Sequence, residues 1–291
     1  MYDTLFALPV KEQLSSSVSL RQLDQLPVIV IDHPQVRAAV TLQGAHLIAW
    51  QPAGEEPVLW LSETSAFKDG VAIRGGVPIC WPWFGKVASP NHGFARILPW
   101  QLSKHQEDDG QVTLSLTLHD STATEQYWPK PFTLTATFVL GKTCSVELEA
   151  QGDFQNTTAL HSYFNIGDIA KVSLGGLGNS YIDKVKNGIT ATQKGDLSFS
   201  GEEVDRVYTH PESVSQIHDP LLKRIIEIHH HNHSDVVAWN PGAELAKQIG
   251  DIPDEGYKTY VCVETARVND PLVTAPSAPS RLSTVISLRK A

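Results

Sequence analysis

The sequence predicts an all-β protein from three features: apolar and polar residues that alternate with a period of two, turn-forming residues between those runs, and no amphipathic helical pattern of ten or more residues. Val112, Leu114, Leu116 and Leu118 alternate with Thr113, Ser115 and Thr117, and Val146, Leu148 and Ala150 alternate with Ser145, Glu147 and Glu149. Successive side chains of a strand point to opposite faces, so each run describes a strand buried on one side. Further β-rich runs occupy 28–31, 38–50, 132–140, 158–166, 224–229, 236–239, 259–265 and 283–288, with Gly, Pro, Asn and Asp clusters between them. A parallel α/β sheet would need helical segments between its strands, and none is present. The expected architecture is a sandwich of broad antiparallel sheets, with a barrel as the other arrangement that has this signature. One domain over 1–291 is expected, with the Pro- and Ser-rich stretch from Pro271 to Pro279 as a long connection inside it.

Composition narrows the function classes. Lys and Arg number 23 against 32 Asp and Glu, a net charge of −9, which repels nucleic acid and anionic membrane surfaces. The opening residues MYDTLFALPVKEQLSSS lack a basic leader, and no run approaches the roughly 20 apolar residues that cross a bilayer, so a cytoplasmic chain is expected. Cys80, Cys144 and Cys262 are widely spaced and outside any C-x-x-C pattern, which predicts small buried hydrophobes rather than a disulfide framework or a zinc site.

Three segments could carry chemistry. Residues 71–100 hold Arg74, Lys86 and Arg96 with no Asp or Glu, together with four glycines, four prolines and three tryptophans. Irregular loops on a rigid scaffold concentrate binding residues, arginine forks suit phosphate, and indole faces suit a sugar ring. The competing reading makes Trp81, Pro82, Trp83 and Phe84 a core corner with solvated arginines on its rim. Gly75-Gly76 lacks the rest of a nucleotide-binding glycine pattern. Within 157–168, His161 lies in an apolar run with Tyr163 on the same face, where a lone histidine is usually structural. Within 260–265, Glu264 interrupts a strongly apolar strand, and a carboxylate there must be paired, hydrogen-bonded or facing a cavity. Consecutive residues of His229 to His233 point to opposite strand faces and cannot chelate together, so a solvated strand end is expected. Asp205 to Tyr208 reads, by itself, as a loop.

Six fragments occur in one order: R-G-G at 74–76, W-P-W-F-G at 81–85, H-G-F-A-R at 92–96, L-H-S-Y-F-N at 160–165, D-R-V-Y at 205–208 and V-E-T-A at 263–266. Together they resemble the D-hexose-6-phosphate mutarotases, or glucose-6-phosphate 1-epimerases, of the aldose 1-epimerase family, over almost the whole chain. The resemblance implies a galactose-mutarotase-like antiparallel β-supersandwich with the sugar in an open cleft. It implies His161 as general acid and Glu264 as general base, Arg74 and Arg96 on the phosphate or sugar, His92 lining the site and Asp205 on the sugar hydroxyls. Asn91 is a further implied contact, with a shorter reach than the Gln that several relatives carry there. A monomer is expected.

The residue types suit the reaction. A base removes the C1 hydroxyl proton while an acid protonates the ring oxygen, the pyranose opens to the aldehyde, C1–C2 rotates, and reclosure with reversed roles gives the other anomer. Neither a redox cofactor nor a metal is expected, and proximity of the two groups is expected to favour their charged forms. Two other readings stand beside this one. A non-catalytic carbohydrate-binding protein would have little use for the acid and base, and a glycoside hydrolase would need two carboxylates flanking the bond.

Overall fold

Alternation becomes sheet structure most directly in Phe132–Leu140 and Cys144–Gly152, where every second residue from Phe132 to Leu140 and from Cys144 to Ala150 is buried. In the computed structural model, which describes residues 2–291, these strands form the middle of a nine-stranded sheet. Its order is Leu197–Ser198, Ser173–Gly175, Val214–Asp219, Arg224–His231, Ser280–Lys290, Cys144–Gly152, Phe132–Leu140, Val112–His119 and Gln101–Glu107.

A second sheet, here the site sheet, runs Ile189–Thr192, Ser180–Asp183, Val204–Tyr208, Asp235–Asn240, Tyr260–Thr274, Phe154–Leu160 and Ile79–Cys80, with Tyr163–Asn165 also paired to Tyr260–Thr274. A third is a five-stranded meander in sequence order from Val10–Gln13 to His46–Pro52. All these strand pairs are antiparallel. The longest helix among the described residues, Tyr2–Ala7, has 6 residues, and none of them is long and apolar enough to cross a membrane.

The nine-stranded sheet packs one face against the site sheet. Phe138, Val146, Leu282 and Ile228 join Leu160, Phe164, Val236, Ala238, Val261 and Val263 in one apolar cluster. Strands of the site sheet therefore have one face in the main core. The other face of Tyr260–Thr274 is covered as well, by a cluster of Trp60, Tyr163, Tyr260 and Cys262, and a second of Cys80, Ala159, Val207, Val237 and Ala266 lies alongside. Burial on both faces explains why 260–266 reads as continuously apolar instead of alternating.

Several expectations change. The run 38–50 is a hairpin, Val36–Thr41 and His46–Pro52, turning where Gly44 and Ala45 take φ of 79° and 43°. Asp205 to Tyr208 lies in a strand, Val204–Tyr208. Pro271 lies inside the strand Tyr260–Thr274, at an irregularity in its pairing with Phe154–Leu160, where a missing N–H is tolerated. His230 is not at a solvated end. Register places Leu114, Phe138, Val146, Thr284 and His230 in one row across five strands, so His230 must point inward with the others. It is buried there, hydrogen-bonded to the Thr265 and Ser215 hydroxyls, while His231 faces solvent.

Candidate active site

Register brings the predicted acid and base together. Leu160 pairs with Thr265 and Tyr163 with Cys262, so the residues between them set His161 opposite Glu264. The ladder is broken at this point: the His161 N–H donates to the Pro78 carbonyl at 3.0 Å, and the imidazole turns toward the carboxylate. Nε2 of His161 lies 3.3 Å from Oε1 of Glu264. Tyr163, on the same face, stacks on the imidazole with centroids 4.9 Å apart and planes at 14°.

The Arg74-Gly75-Gly76 segment reaches this face because it has no side chains where two backbones close on it. A Cβ on Gly75 would lie 2.5 Å from the Trp60 carbonyl oxygen, and one on Gly76 would lie 2.2 Å from that of Leu47. The glycines thus serve close packing rather than phosphate binding. Gly76 donates to Trp60 at 2.7 Å and accepts from Tyr163 at 2.8 Å, which anchors Arg74 beside the pair. Arg74 donates from Nε to Asp251 at 3.1 Å and from Nη1 to the Tyr163 hydroxyl at 3.0 Å.

A loop from Gly85 to Arg96 supplies the opposite wall. His92 takes φ of 62°, and its backbone N–H donates to the Gly85 carbonyl at 2.8 Å. Gly85 N–H in turn donates to Nδ1 of His92 at 3.2 Å. A backbone amide can only donate, so Nδ1 is the acceptor and the proton of the neutral ring sits on Nε2. The ring lies edge-on to His161 at 5.5 Å. Arg96 donates from Nη2 to the Asn91 carbonyl at 3.0 Å, and its buried Nε has no hydrogen-bond partner in the protein.

Asp205, Trp239 and Cys262 stand side by side in the same sheet, which puts Asp205 two strands, roughly 10 Å, from Cys262 on the site face. His161, Glu264, Arg74, His92, Arg96 and Asp205 therefore converge. Asn91 does not join them by its side chain: it is exposed, and its backbone positions Arg96. Glu264 is 1% exposed and His161 8%, while Arg74, His92, Arg96, Asp205 and Trp239 are each partly exposed and Lys86 is exposed. A buried pair within a partly exposed ring describes a recess.

Electrostatics in the recess are set by burial. Desolvation lowers His92 to about 3, helped by Arg96, Arg74 and Lys86, so the ring is neutral and offers Nε2–H. Desolvation also raises Asp205 to about 6. Glu264 is pushed well above the usual carboxylate range by burial and then by Asp205, and His161 well below the usual imidazole value by burial and then by His92, Arg96 and Arg74. Burial thus favours a neutral carboxyl–imidazole pair over the expected ion pair. The two forms hold the same number of protons and differ by one transfer across the 3.3 Å contact.

The two sequence readings of 71–100 are both correct in part. Trp81, Trp83 and Trp100 are core residues, so none offers its face to a sugar, whereas the arginines and His92 line the recess. Beside Tyr163, the site has a partly exposed aromatic in Trp239, edge-on to His161 at 6.1 Å. Asp251 was not legible in sequence, because an acid in the loop 247–255 is ordinary until the fold sets it against Arg74. The cysteines are free and buried, as expected, but Cys262 belongs to the site face.

Comparison with known proteins gives a consistent result. The aldose 1-epimerase family model matches residues 27–287. A Salmonella typhimurium protein that bears the provisional name glucose-6-phosphate 1-epimerase is 54% identical, with 100% of both chains covered. The crystal structure of a Salmonella typhimurium protein, provisionally described as a mutarotase, superposes with a TM-score of 0.98 at 54% identity over 100% of both chains. A galactose 1-epimerase from Lactobacillus acidophilus, at 15% identity, covers 95% of this chain and 100% of its own with a TM-score of 0.69, a likeness of fold alone.

Proposed function

The chain belongs to the aldose 1-epimerase family, and on that premise we propose that it interconverts the α and β anomers of a hexose 6-phosphate, with glucose 6-phosphate as the first substrate to test. The observation that carries this reading is the 3.3 Å approach of His161 Nε2 to Glu264 Oε1 in a recess edged by Arg74 and Arg96. The C1 hydroxyl and the ring oxygen of a pyranose are bonded to the same carbon, so two neighbouring proton-transfer groups can serve both.

The cycle begins with proton transfer from Glu264 to His161. Glu264 then takes the C1 hydroxyl proton while His161 delivers its proton to the ring oxygen. The C1–O5 bond breaks, and the electron pair of the O1–H bond becomes the aldehyde π bond. After rotation about C1–C2, His161 removes the proton from the C5 hydroxyl, O5 attacks the other face of C1, and Glu264 returns a proton to O1. Each proton-transfer group typically contributes about 10²–10⁴-fold, which suits a reaction that already proceeds in water. In this reading His92 Nε2–H donates a hydrogen bond to the sugar, Asp205 accepts from its hydroxyls, and Arg96 holds the phosphate. A binding-only role is not favoured, since it leaves the buried carboxyl–imidazole contact without a use.

Two-dimensional exchange NMR on equilibrated glucose 6-phosphate tests the reading. Acceleration of α/β exchange by the protein is expected, with a weaker effect on galactose. Exchange at the uncatalysed rate would overturn it.

A further inference from the structure

Anomer exchange leaves one group in the recess unused. The thiol of Cys262 lies on the same strand face as Glu264, two residues away, and is fully buried. His161, Cys262 and Glu264 each offer one ligand atom, and these atoms lie within 4.8 Å of one another. Oε2 of Glu264 has no hydrogen-bond partner in the protein, although the residue is only 1% exposed. We propose that these three side chains form a site for a zinc-like divalent cation, and that a cation bound there switches the acid–base pair off. The second half of the proposal rests on the proton-transfer function proposed above; the first half does not.

The donor set selects the metal. One thiolate, one imidazole and one carboxylate suit Zn²⁺, whereas Mg²⁺ and Ca²⁺ require oxygen ligands. Metal–ligand lengths of about 2.0–2.3 Å place tetrahedral ligand atoms about 3.5 Å apart. The 3.3 Å contact between His161 and Glu264 already meets that spacing, and the thiol needs to close by about an ångström from the 4.8 Å limit. Coordination deprotonates a thiol outright. The resulting thiolate and carboxylate cancel the charge of a dication, giving the neutral assembly that a buried site tolerates. Arg96 and Arg74 make the electrostatics at His161 unfavourable to added positive charge, so a dication there needs the charge cancellation that the thiolate and carboxylate supply. Three protein ligands leave a fourth position for water or a sugar hydroxyl.

The consequence is competition. A metal joined to both His161 and Glu264 occupies the lone pairs that would exchange protons with the pyranose, so zinc and sugar exclude one another. Histidines 229 to 233 are a separate place where added zinc could settle, but metal held there would touch neither member of the pair. Cys262 therefore separates the two cases.

The test adds Zn²⁺ to the full chain during anomer exchange on glucose 6-phosphate and, separately, records the absorption spectrum with Co²⁺. Expected are inhibition by zinc that glucose 6-phosphate relieves, and thiolate-to-cobalt charge-transfer absorption in the near ultraviolet. Cys262→Ala should keep the basal exchange rate, lose the thiolate absorption and need roughly ten-fold more zinc or more for the same inhibition. Cys262→Ser serves the same purpose should the alanine variant fail to fold. Equal zinc sensitivity in wild type and both variants, or cobalt bound with no thiolate absorption, would overturn the site. Because the cobalt spectrum needs no turnover, thiolate absorption in a chain that does not accelerate exchange would uphold the site and contradict the proposed function.

Discussion

At the scale of single residues, the account depends on how burial sets proton positions. A one-proton pair is neutral, and losing that proton leaves a buried negative charge, which desolvation opposes. The pH at which the proton is lost therefore rises, in keeping with the upward shift of Glu264. The alkaline limb of the rate profile should lie above pH 6.5, the ordinary value for the imidazole of His161. A rate that halves near 6.5, with chemistry limiting, would mean that a solvated histidine controls turnover. The arginines should differ as well. Arg74 is already held by Asp251 and Tyr163, whereas Arg96 keeps a buried Nε without a protein partner. Charge-assisted hydrogen bonds contribute about 1.5–3 kcal/mol, so Arg96→Ala should raise KM for glucose 6-phosphate roughly 10- to 100-fold and leave free glucose little changed. Equal losses for both sugars would remove Arg96 as the phosphate ligand. His161 and Glu264 were visible in sequence as polar residues in apolar runs, and motif resemblance assigned their roles. Their protonation at rest was not legible, because it depends on how much water the folded chain removes.

At the scale of elements, the site is built where regular structure fails. The strand Phe154–Leu160 ends just before His161, and the Gly85–Arg96 loop folds back so tightly that a Cβ on Gly93 would lie 1.9 Å from the Trp81 carbonyl oxygen. Gly93 also takes φ of 76°. Left-handed strain alone costs about 1–3 kcal/mol, and the clash with backbone adds to it. Gly93→Ala should therefore lower thermal stability markedly and, in whatever folds, displace His92. Unchanged melting would show that the loop can relax. Strands with one solvated face, such as Val112–His119, were legible from alternation alone. Tyr260–Thr274 was harder, since both faces are covered near Glu264 and its period disappears. The hairpin inside 38–50 was missed because its turn, Leu42 to Ala45, contains the apolar residues Leu42 and Ala45 and reads as continuous strand.

At the scale of the molecule, the sheets must be locked for register to hold the pair in place. Arg224, in the nine-stranded sheet, is buried and donates to three backbone carbonyls, those of Glu56, Pro57 and Asn165, at 2.8–3.0 Å. It thereby ties that sheet to the chain leaving the meander and to the strand after His161. Arg224→Met would remove the donor from these part-buried carbonyls; Pro57 keeps the Asn165 side-chain amide, and each of the other two left unsatisfied costs about 1–3 kcal/mol. Denaturant unfolding should show a loss of roughly 2–5 kcal/mol, with kcat of the folded fraction little affected. A loss under about 0.5 kcal/mol, as for an ordinary surface change, would contradict the locking role. Neither Arg224 nor the order of the nine strands was legible in sequence, because both follow from pairings between residues far apart in the chain.

The central claim is that one carboxyl and one imidazole pass protons to and from a pyranose. It is tested most directly by Glu264→Gln, measured by exchange NMR for turnover and by calorimetry for glucose 6-phosphate binding. The amide keeps the shape but cannot act as a base, so exchange should fall by about 10²-fold or more while binding changes little. Exchange at the wild-type rate in a folded, sugar-binding variant would contradict it.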